Sequence, residues 1–372
     1  MWHQIIEKSE SAGCFKDQFA FVSLGTNLIY YFTMRLRSIK LIGQRVDKKH
    51  KEYKEAKKSI KNILKRQQFR GNVVPWCQFA DFELETSSLV TVMEEVYNQA
   101  LQLAWSLKQK STLEKALVSS FYVLAHISES IMMRCDTYEY FDQLRKPFIS
   151  VLGSILLDEE APVLDKDYDH VQILKIRSIL HEKYENAKEA YKHEVNSYYG
   201  WFWADSTFVN IIKIMACFEL FVDKSNLEQT LALCQTGLDS VTECVNKYLS
   251  IYDSTILDDP QVRRRRADLY SLHRLQLKLL SNFSRSSTAK WRITKFRLLL
   301  SRAMSDFPDA PEFLAQWLAI ESHTVGLRQS GLSSMMGRNS AVKQIYLIMF
   351  DLEREKRVMS FNEGVEGTGN FN

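Results

Sequence analysis

The sequence predicts an all-α protein built as an α-solenoid of antiparallel helix pairs. The chain has 372 residues, of which 45% are hydrophobic, but it contains only 13 glycines and 6 prolines. So few turn-forming residues cannot supply the many tight connections of a β-sandwich or a β-barrel. A helical motif also recurs along the chain. Because repeated helix pairs add core as a chain lengthens, they suit this length better than a single compact core does.

The first predicted helix lies in the longest uncharged stretch of the chain, Gln18 to Met34. This stretch is 17 residues long and is diluted by serine, threonine, asparagine, glutamine and glycine. A membrane span requires a longer and more apolar run. The stretch therefore predicts a buried helix rather than a transmembrane one.

The second predicted helix runs from Lys48 to Arg66 and is strongly amphipathic. Its predicted apolar stripe consists of Tyr53, Ala56, Ile60, Ile63 and Leu64. Lysines crowd the opposite arc, and the candidate contacts for RNA or an acidic partner are Lys51, Lys54, Lys58, Lys61 and Lys65. Such a face attracts a phosphate backbone without reading its sequence. A solvated helix face in a solenoid has the same pattern, so both interpretations stay open.

The recurring motif is an apolar helix face that ends in a glutamate. Its first copy is Trp76-Cys-Gln-Phe79-Ala80-Asp-Phe82-Glu83, with helical rather than strand spacing. The later copies contain Met215 with Glu219, Trp317 with Glu321, and Met349 with Glu353. We interpret the apolar side chains as core, and the glutamates as internal hydrogen-bond or ion-pair partners.

A second helix completes the pair after the first copy. Its apolar face is predicted to contain Val92, Val96, Tyr97, Ala100 and Leu101. The small residue beside a large one allows close approach of two helices. Pro75 directly precedes Trp76, and Pro308 lies in the predicted turn before the third copy. Because one pair cannot bury its own apolar stripe, neighbouring pairs must stack.

The predicted domain organisation follows breaks in this pattern. An N-terminal helical-repeat stack is predicted for residues 1–156, and the acidic, proline-containing segment 157–170 is predicted to be a linker. A C-terminal stack is predicted for residues 171–359. The glycine-containing tail, residues 360–372, has no periodicity and is predicted to be disordered.

Positive charge is segregated along the chain, although the net charge is only +4. One basic stretch contains the helix described above, and the other contains four consecutive arginines at a predicted helix start. These further candidate RNA or acidic-partner contacts are Arg263, Arg264, Arg265 and Arg266. Guanidinium groups bind phosphate in a bidentate manner, and such a run is also typical of a nuclear localisation signal.

Motifs of familiar chemistry are absent from the sequence. It contains no GxxxxGK[ST], GxGxxG, HExxH or GxSxG motif and no His/Cys/Asp cluster with metal-ligand spacing. Its six cysteines lack CxxC spacing and are interpreted as reduced core thiols of an intracellular protein. The sequence therefore predicts a protein that is not an enzyme, with no catalytic, cofactor-binding or metal-binding residues.

The repeat resembles the half-a-tetratricopeptide (HAT) repeat of RNA-processing proteins, which forms a tetratricopeptide-like superhelix. The cleanest copy runs from Trp76 to Leu101. The stretch from Leu300 to Glu321, followed by Ile345 to Glu353, resembles the C-terminal half of the nuclear-RNAi-defective (NRDE-two) family. The resemblance is clear over roughly a third of the chain and weak between residues 110 and 200.

This resemblance implies a non-enzymatic nuclear scaffold of RNA surveillance, with roles in nuclear RNA interference and splicing fidelity. It implies splicing factors and the exosome-associated RNA helicase as protein partners, and RNA is a further candidate partner. No membrane contact and no small-molecule substrate are expected. Full members of the family begin with a low-complexity region that holds the helicase-binding segment, and residues 1–70 do not resemble it. The alternative is a helical-repeat adaptor outside RNA metabolism, in trafficking or complex assembly.

Overall fold

The computed structural model of the protein describes residues 18–66, 69, 72–110, 113–134, 138–158, 160–193, 205–251, 260–283, 289–308 and 310–322. Within these ranges every regular element is a helix, so the predicted all-α class is confirmed. The predicted disordered tail, residues 360–372, lies outside them. So does the fourth motif copy, with Met349 and Glu353.

The described helices follow one another along the chain in the order given below. The first are α1 (Gln18–Leu41), α2 (Lys51–Leu64), α3 (Val74–Glu83), α4 (Leu89–Val92), a π-helical turn (Met93–Tyr97) and α5 (Asn98–Lys110). Next come α6 (Leu113–Arg134), α7 (Tyr138–Leu156), α8 (His170–His193), α9 (Thr207–Val222), a 3₁₀ turn (Lys224–Asn226) and α10 (Leu227–Ile251). The last described helices are α11 (Pro260–Phe283), α12 (Ala289–Asp306) and α13 (Pro311–Ser322).

The chain divides into two compact units, Met1–Leu275 and Gln276–Asn372, and the boundary falls inside α11. The segment 157–170 lies within the first unit. In the second unit α12 packs against α13. The turn that joins them contains Pro308, as the sequence predicts.

Helix α9 forms the centre of the first unit, where it packs against α6, α8 and α10. Every side chain from Phe208 to Phe218 is buried, because this helix is apolar on nearly all sides. Ser206 caps its start by accepting a hydrogen bond from the backbone N–H of Val209 at 3.3 Å. The central position of α9 requires any charged side chain on it to find an internal partner.

Helices α8 and α9 run antiparallel. Arg177, near the start of α8, contacts Glu219, near the end of α9, at 2.7 Å. Tyr191, near the end of α8, lies with its ring centroid 5.3 Å from that of Phe208, near the start of α9. These two contacts fix the relative direction of the pair.

The sequence predicts an uninterrupted second helix for the first motif copy. In the structure a π-helical turn interrupts this helix. A π-turn accommodates one more residue than an α-turn. All five predicted core residues of this helix are nevertheless buried, so that part of the prediction is confirmed: Val92, Val96, Tyr97, Ala100 and Leu101. Within the π-turn, the Tyr97 hydroxyl lies 2.9 Å from both His126 Nδ1 and Ser130 Oγ on α6.

The acidic segment 157–170 joins α7 to α8 and packs closely on α7. Ser150 Oγ donates a hydrogen bond to the Val163 carbonyl oxygen at 2.7 Å. Gly153 allows the close approach, since a Cβ at that position would lie 2.3 Å from Cζ of Tyr168. The segment is therefore held against the helix by specific contacts.

Helix α6 is, among the described residues, the one helix long and apolar enough to span a membrane by length and composition. Of its apolar stretch, 72% is buried inside the protein. The predicted core thiols are confirmed at the four described cysteines, which are buried and free of disulfides: Cys77, Cys217, Cys234 and Cys244.

Candidate nucleic-acid interface

Five lysines form one exposed stripe along α2, hereafter the lysine stripe: Lys51, Lys54, Lys58, Lys61 and Lys65. Lys65 directly follows the helix and keeps helical backbone dihedrals. At about 100° per residue the five side chains fall within an arc of about 80°, and at 1.5 Å per residue they span about 21 Å. All five candidate residues that sequence analysis placed on this helix therefore share one face.

The opposite face of α2 is buried, as the sequence predicts. The predicted apolar stripe is confirmed residue by residue, with Tyr53, Ala56, Ile60, Ile63 and Leu64 all buried. The helix itself runs from Lys51 to Leu64, shorter than the predicted 48–66. Burial of the apolar side points the lysine stripe toward solvent.

The carboxylates of α2 neutralise little of the lysine stripe. Lys51 Nζ lies 3.9 Å from Glu55 Oε1, and both side chains are largely exposed. Glu52 is engaged by Arg35 of α1 at 2.9 Å. Within the described part of the chain, no carboxylate lies within ion-pair distance of the other four lysines. The stripe therefore presents a nearly continuous positive surface.

Glu83 anchors α2 to α3. It is 2% exposed, and its Oε2 accepts hydrogen bonds from the Tyr53 hydroxyl at 2.9 Å and from Lys57 Nζ at 2.8 Å. The Tyr53 ring also stacks on Phe82, with centroids 5.3 Å apart. Burial opposes the charge on Lys57, but the Glu83 carboxylate outweighs it and raises the pKa of that amine. The internal ion-pair role predicted for Glu83 is thus present.

The second motif copy makes the corresponding contact. Glu219 accepts two hydrogen bonds from Arg177 of the preceding helix, from Nε at 2.8 Å and from Nη2 at 2.7 Å. In both copies the glutamate that ends the motif therefore binds a basic side chain of the preceding helix. Glu353 lies outside the described residues. Glu321 ends a copy within α13, and its side chain lies outside the described part.

The other motif residues differ in burial. Phe79, Ala80 and Met215 are buried, in agreement with their predicted core role. Trp76 and Trp317 are only partly buried. The Trp76 ring lies 6.4 Å from that of Phe79 in an edge-to-face arrangement. These two tryptophans therefore lie at the edge of the core rather than inside it.

The second candidate patch, on α11, is not a single surface. Arg263 and Arg266 are exposed and Arg264 is half-buried, but Arg265 is completely buried. The Arg265 guanidinium lies 5.7 Å from the centroid of the Tyr191 ring of α8. Consecutive residues of a helix point about 100° apart, so four in a row cannot all face the same partner. Arg265 is therefore not available as an RNA contact in this structure.

A buried charge cluster, which sequence analysis did not identify, joins α6, α9 and α11. Lys213 is 3% exposed and contacts the carboxylates of both Glu129 and Asp205. Arg274 lies 3.2 Å from the other oxygen of Glu129. Burial opposes the charge on Lys213, but the two carboxylates raise its pKa above the usual value. The sequence feature that could have indicated this cluster is Lys213 itself, the one lysine in the apolar run of α9.

A second polar group lies beside this cluster. His126 Nε2 is 3.4 Å from Asp81 Oδ2, and its Nδ1 lies within hydrogen-bond distance of Tyr97. Burial disfavours the protonated imidazole, but the carboxylates of Asp81 and Glu129 raise the pKa of His126 above its ordinary value. Among the described residues, no group of three or more His, Cys, Asp or Glu side chains is arranged to hold a metal ion.

No protein-family model, curated protein or solved structure matches this chain. The resemblance to the HAT repeat and to the NRDE-two family therefore rests on the sequence motifs quoted for it.

Proposed function

We propose that this protein is a non-enzymatic helical-repeat scaffold of nuclear RNA processing and surveillance, and that the lysine stripe of α2 contacts RNA. In this proposal the protein acts in the nucleus, in RNA interference and splicing fidelity. Its protein partners are splicing factors and the exosome-associated RNA helicase, by resemblance to the NRDE-two family. The observation that carries the RNA contact is the alignment of five exposed lysines on one helix face.

The proposed architecture is a solenoid of antiparallel helix pairs of the HAT type. One pair of matching contacts supports it. Glu83 and Glu219 occupy the same motif position and each binds a basic side chain of the preceding helix, Lys57 or Arg177. Equivalent internal contacts at equivalent positions are the expectation for stacked repeats, in which each unit contacts its neighbours in the same way.

The electrostatics of the lysine stripe favour a polyanionic partner without base recognition. Five ammonium groups at about one-turn intervals can each approach a backbone phosphate. Neutralising phosphates releases counterions, so the logarithm of the binding constant falls with the logarithm of salt concentration by about 0.7 per contacted phosphate of a single strand. Five contacts therefore give a slope of about −3.5.

The test is the salt dependence of RNA binding by the full chain. Fluorescence anisotropy with a labelled single-stranded oligonucleotide measures the affinity at several salt concentrations. We expect the triple variant Lys54→Gln, Lys58→Gln, Lys61→Gln to bind more weakly and to have a slope of about −1.4, since two lysine contacts remain.

The matched control removes three exposed or half-exposed positive charges elsewhere, with Arg145→Gln, Lys175→Gln and Lys183→Gln. This control has the same net charge as the triple variant. An equal loss of affinity in both variants would show that total charge, rather than the lysine stripe, governs binding. An unchanged slope in the triple variant would remove the RNA contact by α2.

The second candidate function is an adaptor outside RNA metabolism. The observation that favours it is an apolar face on α1, where Tyr30, Met34 and Leu41 are 53%, 38% and 87% exposed. Exposed apolar side chains on one helix are typical of protein-docking surfaces. Purification of the tagged protein from nuclear and cytosolic fractions separates the two functions. Recovery of vesicle-coat or assembly factors, rather than splicing or exosome components, would favour the adaptor.

A further inference from the structure

A small cleft lies between the C-terminal halves of α8 and α10. The residues that matter here are Lys188, Tyr191 and Lys192 of α8, with Glu243, Cys244 and Lys247 of α10. Its volume is about 90 Å³. Because about 10–15 Å³ of such space is enough for one water molecule, the cleft has room for several water molecules or for one small oxyanion.

The rim of the cleft carries three ammonium groups and one carboxylate. Lys188 and Lys192 approach from α8, and Lys247 and Glu243 from α10. Lys192 also forms an ion pair at 2.6 Å with Glu189, one turn earlier on α8. Among the described side chains, the three lysines at the cleft outnumber its two carboxylates, Glu243 and Glu189.

The floor of the cleft is buried, and a further cation stands behind it. Tyr191 is 3% exposed and Cys244 is 9% exposed. The completely buried Arg265 guanidinium lies over the Tyr191 ring. Burial raises the pKa of the Cys244 thiol and the Glu243 carboxylate adds to the increase, whereas Arg265, Lys247 and Lys192 act against it, so charges of both signs are felt at the floor. Charges act more strongly across such a dry interior than across water.

A buried carboxyl group, Asp268, lies behind the Tyr191 side of this floor. Asp268 accepts a hydrogen bond from the Tyr191 hydroxyl at 2.9 Å. Burial, together with the charge of Asp205, raises the pKa of Asp268 to about 7. Near neutral pH this carboxyl group is therefore partly protonated, which reduces the negative charge behind the cleft.

We propose that the cleft between α8 and α10 binds the phosphate group of a small phosphorylated ligand. Lysine ammonium groups are compact, strongly charged donors that suit phosphate oxygens. Lys188 and Lys247 approach the anion from opposite walls, and Glu243 limits its affinity by repulsion. This site is separate from the lysine stripe, so the proposal does not rest on RNA binding by α2.

Titration calorimetry of the full chain at low salt tests the proposal, with inorganic phosphate and inorganic pyrophosphate as the probes. We expect Lys188→Gln with Lys247→Gln to lower the affinity for the probes at least about tenfold, because two charge-assisted hydrogen bonds are lost. The matched control is Lys175→Gln with Lys183→Gln, which removes the same charge from other faces of α8. That control is expected to change the affinity less than about twofold.

A gain-of-affinity variant keeps the test independent of folding defects. We expect Glu243→Gln to tighten binding of the probes about two- to fivefold, since it removes one partly exposed repulsive charge. Weaker or unchanged binding in Glu243→Gln would overturn the proposal. So would unchanged binding in the double lysine variant, or the absence of saturable binding of either probe by the natural chain.

The proposed RNA contact of α2 and the proposed phosphate site can be refuted independently of each other. The α2 variant with three glutamines should bind pyrophosphate as the natural chain does. If an RNA oligonucleotide requires Lys188 and Lys247 but neither inorganic probe binds, the cleft is an RNA contact and the small-ligand proposal is wrong.

Discussion

Replacement of Lys213 by methionine tests the buried charge cluster at the centre of the first unit. Methionine keeps the length of the side chain but removes the ammonium group that Glu129 and Asp205 share. Because Lys213 is only 3% exposed, Asp205 would lose this ion-pair partner inside the protein, and Glu129 would keep Arg274 alone of the two cations described here. Removing one partner of a buried ion pair typically costs about 3–5 kcal/mol in the free energy of unfolding.

For a unit of this size, a loss of about 1 kcal/mol in the free energy of unfolding lowers Tm by about 2–4 °C. The expected decrease in Tm for Lys213→Met is therefore about 6–20 °C. Intrinsic tryptophan fluorescence during heating measures it, since Trp76 and Trp105 lie in the first unit. Lys175→Met, on the exposed surface of α8, is the control and should change Tm by less than about 2 °C. Adding Glu129→Gln and Asp205→Asn to Lys213→Met should restore part of the loss. A decrease below about 2 °C for Lys213→Met would refute the reasoning.

Two further predictions concern titration and packing. The pKa of His126 is raised in the folded protein, so its stabilising charge is present below the unfolded value of about 6.5 and is lost as pH rises through the higher folded value. His126→Asn should therefore lower Tm more at about pH 6 than at about pH 9, and an equal decrease at both would contradict this assignment. Gly153→Ala should lower the urea midpoint by an amount equivalent to about 1–3 kcal/mol, because its Cβ would overlap the Tyr168 ring. That loss should disappear in the Tyr168→Ala background, and its persistence there would count against the proposed clash.

The lysine stripe could be predicted from the sequence because it depends on one helix alone. The period of an α-helix places Lys51 and Lys65 on the same side, and the apolar residues between them determine which side is buried. The position of Glu83 at the end of an apolar face predicted an internal hydrogen bond or ion pair, and the structure contains both. Identification of Tyr53 and Lys57 as its partners required the packing of α2 on α3.

The four consecutive arginines, Arg263 to Arg266, show what helical periodicity alone cannot predict. Four consecutive helical residues cover the full circumference of a helix, so at least one had to face inward. The choice of Arg265 depends on the position of Tyr191, which is 74 residues earlier in the chain. In the same way, Lys213 and Glu129 are 84 residues apart, and no local periodicity connects them.

The π-helical turn at Met93–Tyr97 has a consequence for comparing the motif copies of the sequence with one another. An inserted residue rotates everything that follows it by about 100° around the helix axis. Deleting one residue from this turn would carry Ala100 and Leu101 away from the partner helix, although each amino acid would stay chemically suitable. The motif copies in the sequence are therefore better aligned by the helix face that their residues form, with one gap allowed at this turn, than by a constant residue count.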